Sequence, residues 1–217
     1  MRIIKVYSIL ASFLFLGFMM SCSNNDDFNG MNVETNLIET DNIQNEDLTE
    51  ADTDALLFML EEEKLARDTY KFLNDLWNIN LFSNIGNSEQ SHMDAIINLL
   101  DANMIDYSIL PDGEFFDTEL QALFDQFEIE GSLSTENALH IGATIEDLDI
   151  VDLQEYIDAT SNTDLKDVFG SLQCGSRNHL RSFVNSIENN GNYYVPQFLT
   201  QEEYNLIISS NHEQCNQ

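Results

Sequence analysis

The chain has 217 residues, of which 39 are acidic and 8 are basic, so its formal net charge is −31. So acidic a chain repels the phosphates of nucleic acids and anionic membrane surfaces, which excludes nucleic acid as a partner. The length is sufficient for one domain with a sizeable core.

Residues 1–22 predict a bacterial export signal that does not belong to the fold. Arg2 and Lys5 precede an apolar run, Ile9 to Met20, that is too short for a good membrane span. Cys22 follows a small residue, and this ending resembles a lipobox, where a signal peptidase cuts and the cysteine becomes lipid-modified. The alternative is an ordinary cleaved signal in which Cys22 occurs by chance.

Residues 23–49 predict an acidic, disordered tether, because they contain no lysine or arginine and no sustained apolar period. The tether begins Ser-Asn-Asn-Asp-Asp, which resembles the acidic export tag of bacterial surface lipoproteins. We therefore expect a protein that is lipid-anchored to the outer membrane through Cys22, at the cell surface or, as the alternative, facing the periplasm.

The two other cysteines, Cys174 and Cys215, are too few to define a disulfide pattern. Outside the cytoplasm they could form one disulfide bond. A free, buried Cys174 fits the sequence equally well, so both alternatives stay open.

Four long amphipathic helices are predicted, because apolar residues recur at helical spacing over residues 52–77, 82–102, 135–160 and 164–188. An irregularity is expected at 149–152 in the third helix. The links at 78–81 and 161–163 are so short that each pair of helices must be antiparallel.

A long connection, residues 103–131, joins the two helical pairs and contains a short helical piece at 119–127. A capping box at Thr200–Glu203 begins a further short helix. The prediction is an all-α protein, a four-helix bundle with one long crossover connection in the ferritin-like arrangement. This domain spans about 50–208, and 209–217 form a tail.

Each long helix carries polar residues on its apolar stripe, where a lone carboxylate is costly to bury. Glu63 lies on the first stripe, Glu89 and His92 on the second, Glu146 on the third and His179 on the fourth. Spacing of three residues puts Glu89 and His92 on one helix face. A metal ion, or protonation of the acids, would remove the cost of burial.

The residues Glu63 to Tyr70, EKLARDTY, resemble the first-helix motif of rubrerythrins, E-x-x-A-R-x-x-Y, and Glu89 to His92 match the E-x-x-H of ferritin-like proteins. More closely, residues 50–208 resemble the ferritin-like family known as domain of unknown function 2202. The phrases that carry this resemblance are EEEKLARD, FSNIGNSEQSHM, LDIVDLQ, GSRNHLRSFV and PQFLTQEEY.

The resemblance implies a ferritin-like fold and a dinuclear metal site, with iron as the expected metal and manganese as the alternative. Its ligands would be Glu63, Glu89, His92, Glu146, Asp149 and His179. The four carboxylates would balance two divalent ions, and each histidine would cap one of them. Around them we expect Tyr70 as a hydrogen-bond partner or redox-active phenol, and Arg67 and Arg177 paired with surplus carboxylates.

The second hairpin departs from the E-x-x-H pattern, since Ser176 stands where the second carboxylate is expected. Asp149, about one turn beyond Glu146, could compensate; otherwise the second ion is weakly held, or the site is mononuclear or a relic. The alternatives are that Arg67 and Arg177 neutralise the buried acids, that His179 is an ordinary core histidine, and that Asp149 is a surface or kink residue.

We expect Glu61 and Glu62 to be solvated neighbours of Glu63, and Met59 and Met93 to be core residues. The expected function is a redox-active di-iron or di-manganese protein that oxidises metal or handles peroxide, with a metal ion or small oxidant as its ligand. The alternative is a non-catalytic metal-binding or structural lipoprotein. We also expect the protein to form a homodimer.

Overall fold

The computed structural model describes residues 48–215, and the expectations for the signal, for Cys22 and for nearly all of the tether lie outside these residues. Within them the protein is all-α, with six helices: α1 Glu50–Trp77, α2 Asn80–Ala102, α3 Thr118–Gly131, α4 Thr135–Ala159, α5 Thr163–Asn189 and α6 Gln201–Ser209. No helix among them is long and apolar enough to cross a membrane.

The four long helices form the bundle that the sequence predicts. α1 pairs with α2 and α4 with α5, while α1 packs on α4 and α2 on α5 across the two pairs. The crossover between the pairs contains α3, which packs against α1 and α4. α6 lies against α5. The expected bundle with one long crossover is thereby confirmed.

Local chemistry explains where the helices begin. The Thr49 and Asp52 side chains form a capping box at the start of α1, and the predicted box of Thr200 and Glu203 starts α6. Between α1 and α2, Asn78 adopts a left-handed conformation with φ of 52°. This turn, which asparagine tolerates, shortens the predicted four-residue link to two residues.

Two sequence expectations need correction or completion here. The expected irregularity at 149–152 is wrong, because α4 is continuous from Thr135 to Ala159. The question about the cysteines is answered by a disulfide bond between Cys174 and Cys215. It ties the segment after α6 to the middle of α5.

The apolar core consists of two clusters separated by a polar layer. One cluster surrounds Tyr70, Phe82 and Phe183, and the other surrounds Met59 and Met93, which are core residues as expected. Along every long helix the polar residues lie where one cluster gives way to the other. The four polar segments therefore meet at one level inside the bundle.

A buried lysine holds the crossover connection against α1. Lys64 is 2% exposed, and its Nζ donates to Asp68 and to the backbone carbonyls of Pro111 and Glu114. The ammonium also lies 4.2 Å from the centre of the Phe115 ring. Every proton of the ammonium group thus has an acceptor, which is the condition for burying it.

We expect Lys64→Met to lower the free energy of unfolding by about 3 kcal/mol, because it leaves the buried carboxylate of Asp68 without its ammonium partner. The matched control is Lys166→Met at an exposed lysine, expected to change stability by less than about 0.5 kcal/mol. Urea denaturation of both variants measures the difference. Equal effects at the two positions would contradict the structural role of Lys64.

Candidate metal centre

All four long helices contribute side chains to the polar layer. α1 contributes Glu63, α2 Glu89 and His92, α4 Glu146, and α5 His179, and the carboxylates and His92 are less than 5% exposed. Glu89 and His92 face the same way because they are three residues apart on one helix. The structure therefore brings together five of the six expected ligands in one buried layer.

These residues form two triads that share Glu89. The first is Glu63, Glu89 and His92, the second is Glu89, Glu146 and His179, and within each the ligand atoms lie within 4.8 Å of one another. The ring centres of the two histidines are 5.5 Å apart and their planes differ by 25°. Glu89 thus has one oxygen beside each imidazole, as a bridging carboxylate would.

In both triads it is the Nδ1 atom of the histidine that faces the carboxylates. His92 Nδ1 lies 2.8 Å from Glu89 Oε2 and 3.1 Å from Glu63 Oε2. His179 Nδ1 lies 2.9 Å from Glu89 Oε1 and 3.4 Å from Glu146 Oε2. Each imidazole nitrogen is therefore surrounded by carboxylate oxygens from two helices.

Several of these buried atoms have no hydrogen-bond partner: Glu63 Oε1, Glu89 Oε1, Asp149 Oδ1 and His179 Nδ1. Glu89 Oε1 and His179 Nδ1 are 2.9 Å apart, yet their mutual orientation does not make a hydrogen bond. Unpaired buried polar atoms are costly. Lone pairs that converge without pairing are what a cation between them requires, so the residues present fit a metal ion.

The other ring nitrogen of each histidine faces a neighbouring helix of the bundle. His179 Nε2 lies 3.0 Å from the hydroxyl of Ser88. At Gly175 a Cβ atom would come within 2.6 Å of His92 Nε2, so glycine makes room for that ring. The hydrogen bond to Ser88 fixes the orientation of the His179 imidazole, whose Nδ1 has no hydrogen-bond partner.

Asp149 lies beside the triads without belonging to either of them. It is 6% exposed, and its Oδ2 accepts a hydrogen bond from the Ser176 hydroxyl. The alternative that Asp149 is a surface or kink residue is therefore wrong. Ser176, in the place of the second expected carboxylate, instead positions an acid from the neighbouring helix.

Tyr70 is fully buried and donates a hydrogen bond of 2.5 Å to Glu146 Oε1. The Phe183 ring packs against it with the ring centres 5.3 Å apart. This packing depends on Gly142, where a Cβ atom would lie 2.4 Å from the Phe183 ring. The expected hydrogen-bond partner of Tyr70 is thus Glu146, one carboxylate of the second triad.

The two arginines do not contact the acids of the triads, contrary to expectation. Arg67 pairs with Asp68 and the exposed Asp112. Arg177 pairs with Glu213, in the segment that follows α6. Both guanidinium groups lie partly exposed on the outside of the bundle, where water lowers the cost of their charge. In residues 48–215 the ion pairs of the triad carboxylates are made by His92 and His179 alone.

The burial of Glu62 was not foreseen by the sequence analysis. Glu62 is only 2% exposed, whereas we expected it to be solvated. Glu61, half-buried, accepts hydrogen bonds from the backbone N–H groups of Phe116 and Asp117 in the crossover. The apolar stripe of α1 points to Glu63 but gives no signal for Glu62, because the packing of α4 decides the burial of Glu62.

Electrostatics follow from burial and from the excess of acids over bases. Burial raises the pKa of Glu146 to about 7 and that of Asp149 to about 8, and the negative charge of Glu89 adds to both effects. Burial also raises the pKa of Glu89, but the positive charges of His179 and His92 outweigh it and lower that pKa. Burial lowers the pKa of His179, yet Glu89 and Glu146 raise it to about 10.

A surface cavity of about 740 Å³ reaches the polar layer between α2 and α5. Its lining includes His92, Ser91 and both cysteines of the disulfide. Small molecules therefore have a path from solvent to the outer side of the first triad.

Comparison with known proteins gives relatives without an assigned activity. The family described as "Uncharacterized protein domain (DUF2202)" matches residues 52–211. The "Uncharacterized protein MJ0754" of Methanocaldococcus jannaschii is 44% identical over 168 residues, which cover 76% of this chain and 91% of that protein. The crystal structure of hypothetical protein MJ0754 superposes with a TM-score of 0.76, covering 77% of this chain and 97% of that one.

We expect the metal-free protein to lose stability as the pH rises from about 5 to 8. The folded-state pKa of Glu146, about 7, exceeds the value of 4.5 in the unfolded chain, so the folded state keeps a proton that the unfolded state has released. Each such proton costs about 1.4 kcal/mol per pH unit. The raised pKa of His179 acts in the same direction, because its stabilisation is lost as the pH rises from 6.5 to about 10.

Urea denaturation in the presence of a chelator, at a series of pH values, measures this dependence. The lowered pKa of Glu89 affects stability only as the pH falls below the range used. Glu146→Gln is expected to flatten the curve, since an amide does not titrate. A stability that increases from pH 5 to 8 would show that the buried acids do not carry these protons.

Proposed function

The chain belongs to the DUF2202 family, and from the geometry of its core we propose that it is a ferritin-like protein whose bundle holds two divalent metal ions. The first ion would be bound by Glu63, Glu89 and His92, and the second by Glu89, Glu146 and His179. The observation that carries the proposal is the convergence of buried carboxylate and imidazole atoms, among which Glu63 Oε1, Glu89 Oε1 and His179 Nδ1 have no hydrogen-bond partner.

Charge supports two ions rather than one. Glu63, Glu89, Glu146 and Asp149 would carry four negative charges, which two divalent cations neutralise. Their oxygens, with one imidazole nitrogen for each ion, are a donor set that suits iron or manganese. Asp149, which Ser176 orients beside the triads, would add negative charge without being a ligand of either triad.

We propose that this centre carries out redox chemistry, such as the oxidation of ferrous iron or the handling of peroxide. Bound iron or manganese would supply the electrons for that chemistry. The chain itself contributes burial, which excludes bulk water, and the Tyr70 hydroxyl, which holds Glu146 in one orientation. The cavity that ends at His92 would admit a small oxidant.

Metal content tests the proposal. The full chain, loaded anaerobically with Fe²⁺ or Mn²⁺ and freed of loosely bound ions, is expected to hold about two ions, and Glu89→Gln fewer than about 0.2, because both triads use Glu89. Glu155→Gln, at an exposed acid on α4, is the matched control and should bind like the parent.

The same measurement separates the alternatives. About one ion per chain would show that the second ion is not held, because Ser176 stands in place of the expected carboxylate. No bound metal in the parent, or full binding by Glu89→Gln, would refute the dinuclear centre and leave the structural lipoprotein with a relic site.

We further propose that the protein is exported and lipid-anchored at Cys22. A disulfide bond between Cys174 and Cys215 supports export, because such bonds persist mainly outside the reducing cytoplasm. In a bacterial host that grows on radiolabelled palmitate, the parent should be labelled and Cys22→Ser should not. Cys174→Ser is the control and should keep the label. A processed but unlabelled parent would indicate an ordinary cleaved signal.

A further inference from the structure

A second group of carboxylates lies beside the two triads, where α1 packs on α4. Glu62 directly precedes Glu63 on α1, while Asp149 and Asp152 are three residues apart on one face of α4. Glu62 is 2% and Asp149 6% exposed, whereas Asp152 is half-buried. The group therefore extends from the polar layer towards solvent at Asp152.

Three oxygen atoms of Glu62 and Asp149 lack hydrogen-bond donors. Both carboxylate oxygens of Glu62 are buried without a hydrogen-bond partner, and so is Oδ1 of Asp149. Lys64, only two residues from Glu62, points away, because its ammonium group binds Asp68 and the crossover. No ammonium or guanidinium group in residues 48–215 forms an ion pair with Glu62.

The charges that act on Glu62 make its burial more costly. Glu62 lies among the carboxylates of Asp152, Asp149 and Glu63, whose like charge adds to the cost of burying it. The Asp152 carboxyl, itself an acid, exerts the largest of these charge effects on Glu62. Two carboxyl groups can share a hydrogen bond only when one of them is protonated. When both are ionised, a cation between their oxygens offsets the repulsion.

We propose that Glu62 and Asp152, with Asp149 as a third ligand, bind a hydrated divalent cation at a site distinct from the two triads. Their oxygens are not gathered within 4.8 Å as those of the triads are, so the cation would keep water molecules in its shell. With oxygen ligands alone it suits hard cations such as Mn²⁺ or Fe²⁺. Binding at this site would therefore be weaker than at the triads, and the bound ion would exchange more readily.

The position indicates what the site is for. Asp152 is half-buried and Asp149 lies beside the triads, so the three carboxylates mark a path from the surface towards the polar layer. We infer that ions enter the centre along this path. Binding of the third cation stands by itself, and only its role as an entry site rests on the proposed function.

Titration of the full chain with Mn²⁺ tests the site, with calorimetry for the affinities and electron paramagnetic resonance for the number of bound ions. The parent should show a tight class of sites and a weaker class. Glu62→Gln, which keeps the shape of the side chain and removes its charge, should weaken the second class about tenfold or more and leave the tight class within about twofold.

Two further variants keep the result interpretable. Asp152→Asn, at a half-buried position that tolerates change, should weaken the same class even if Glu62→Gln fails to fold. Glu155→Gln, an exposed acid on the same helix, should alter neither class.

The proposal is overturned if the parent shows no weaker class, or if that class survives in Glu62→Gln or, should that variant not fold, in Asp152→Asn. Glu62 would then hold a proton. Glu89→Gln separates this failure from that of the dinuclear centre, because it should remove the tight class and spare the weaker one. A tight class that persists in Glu89→Gln counts against the triads and not against the Glu62 site.

Discussion

The burial of acids at the centre of a helical bundle is the constraint on which the rest of the structure depends. Glu63, Glu89, Glu146 and Asp149 lie in one layer, and their positive partners within the described residues are two imidazoles. Buried charges are tolerated only when they are paired, protonated or bound to metal. The two histidines are too few for four carboxylates, so protons or cations must complete the layer.

The apolar core on either side of this polar layer fixes the geometry of the layer more than contacts within the layer do. An apolar cluster lies on each side of it, so no long helix can shift along its axis without exposing apolar surface. Tyr70 and Phe183 pack so closely that Gly142 is required, and Tyr70 in turn holds Glu146. A binding site on rigid helices with such support keeps its ligand atoms in register.

Sequence reasoning located the residues of the two triads and misplaced their neighbours. Helical spacing alone puts Glu63, Glu89 and His92 on apolar stripes, and the structure buries all three. The same reasoning assigned Arg67 and Arg177 to the buried acids, but a long side chain reaches either face of its helix, and both turn to outer carboxylates. Glu62 was predicted to be solvated. Its burial depends on packing against α4, which is distant in sequence, so the local pattern gave no sign of it.

The sequence by itself determined the all-α class, the bounds of the helices to within a few residues, the pairing into two hairpins and the four helix positions that carry acid or histidine. These follow from local periodicity and from short links, which are properties of neighbouring residues. Only the tertiary structure decided that Glu89 is shared between two triads, that Ser176 orients Asp149, that Glu62 is buried and that Cys174 pairs with Cys215. Each of these depends on which faces of distant helices meet, and that is set by packing over the whole core.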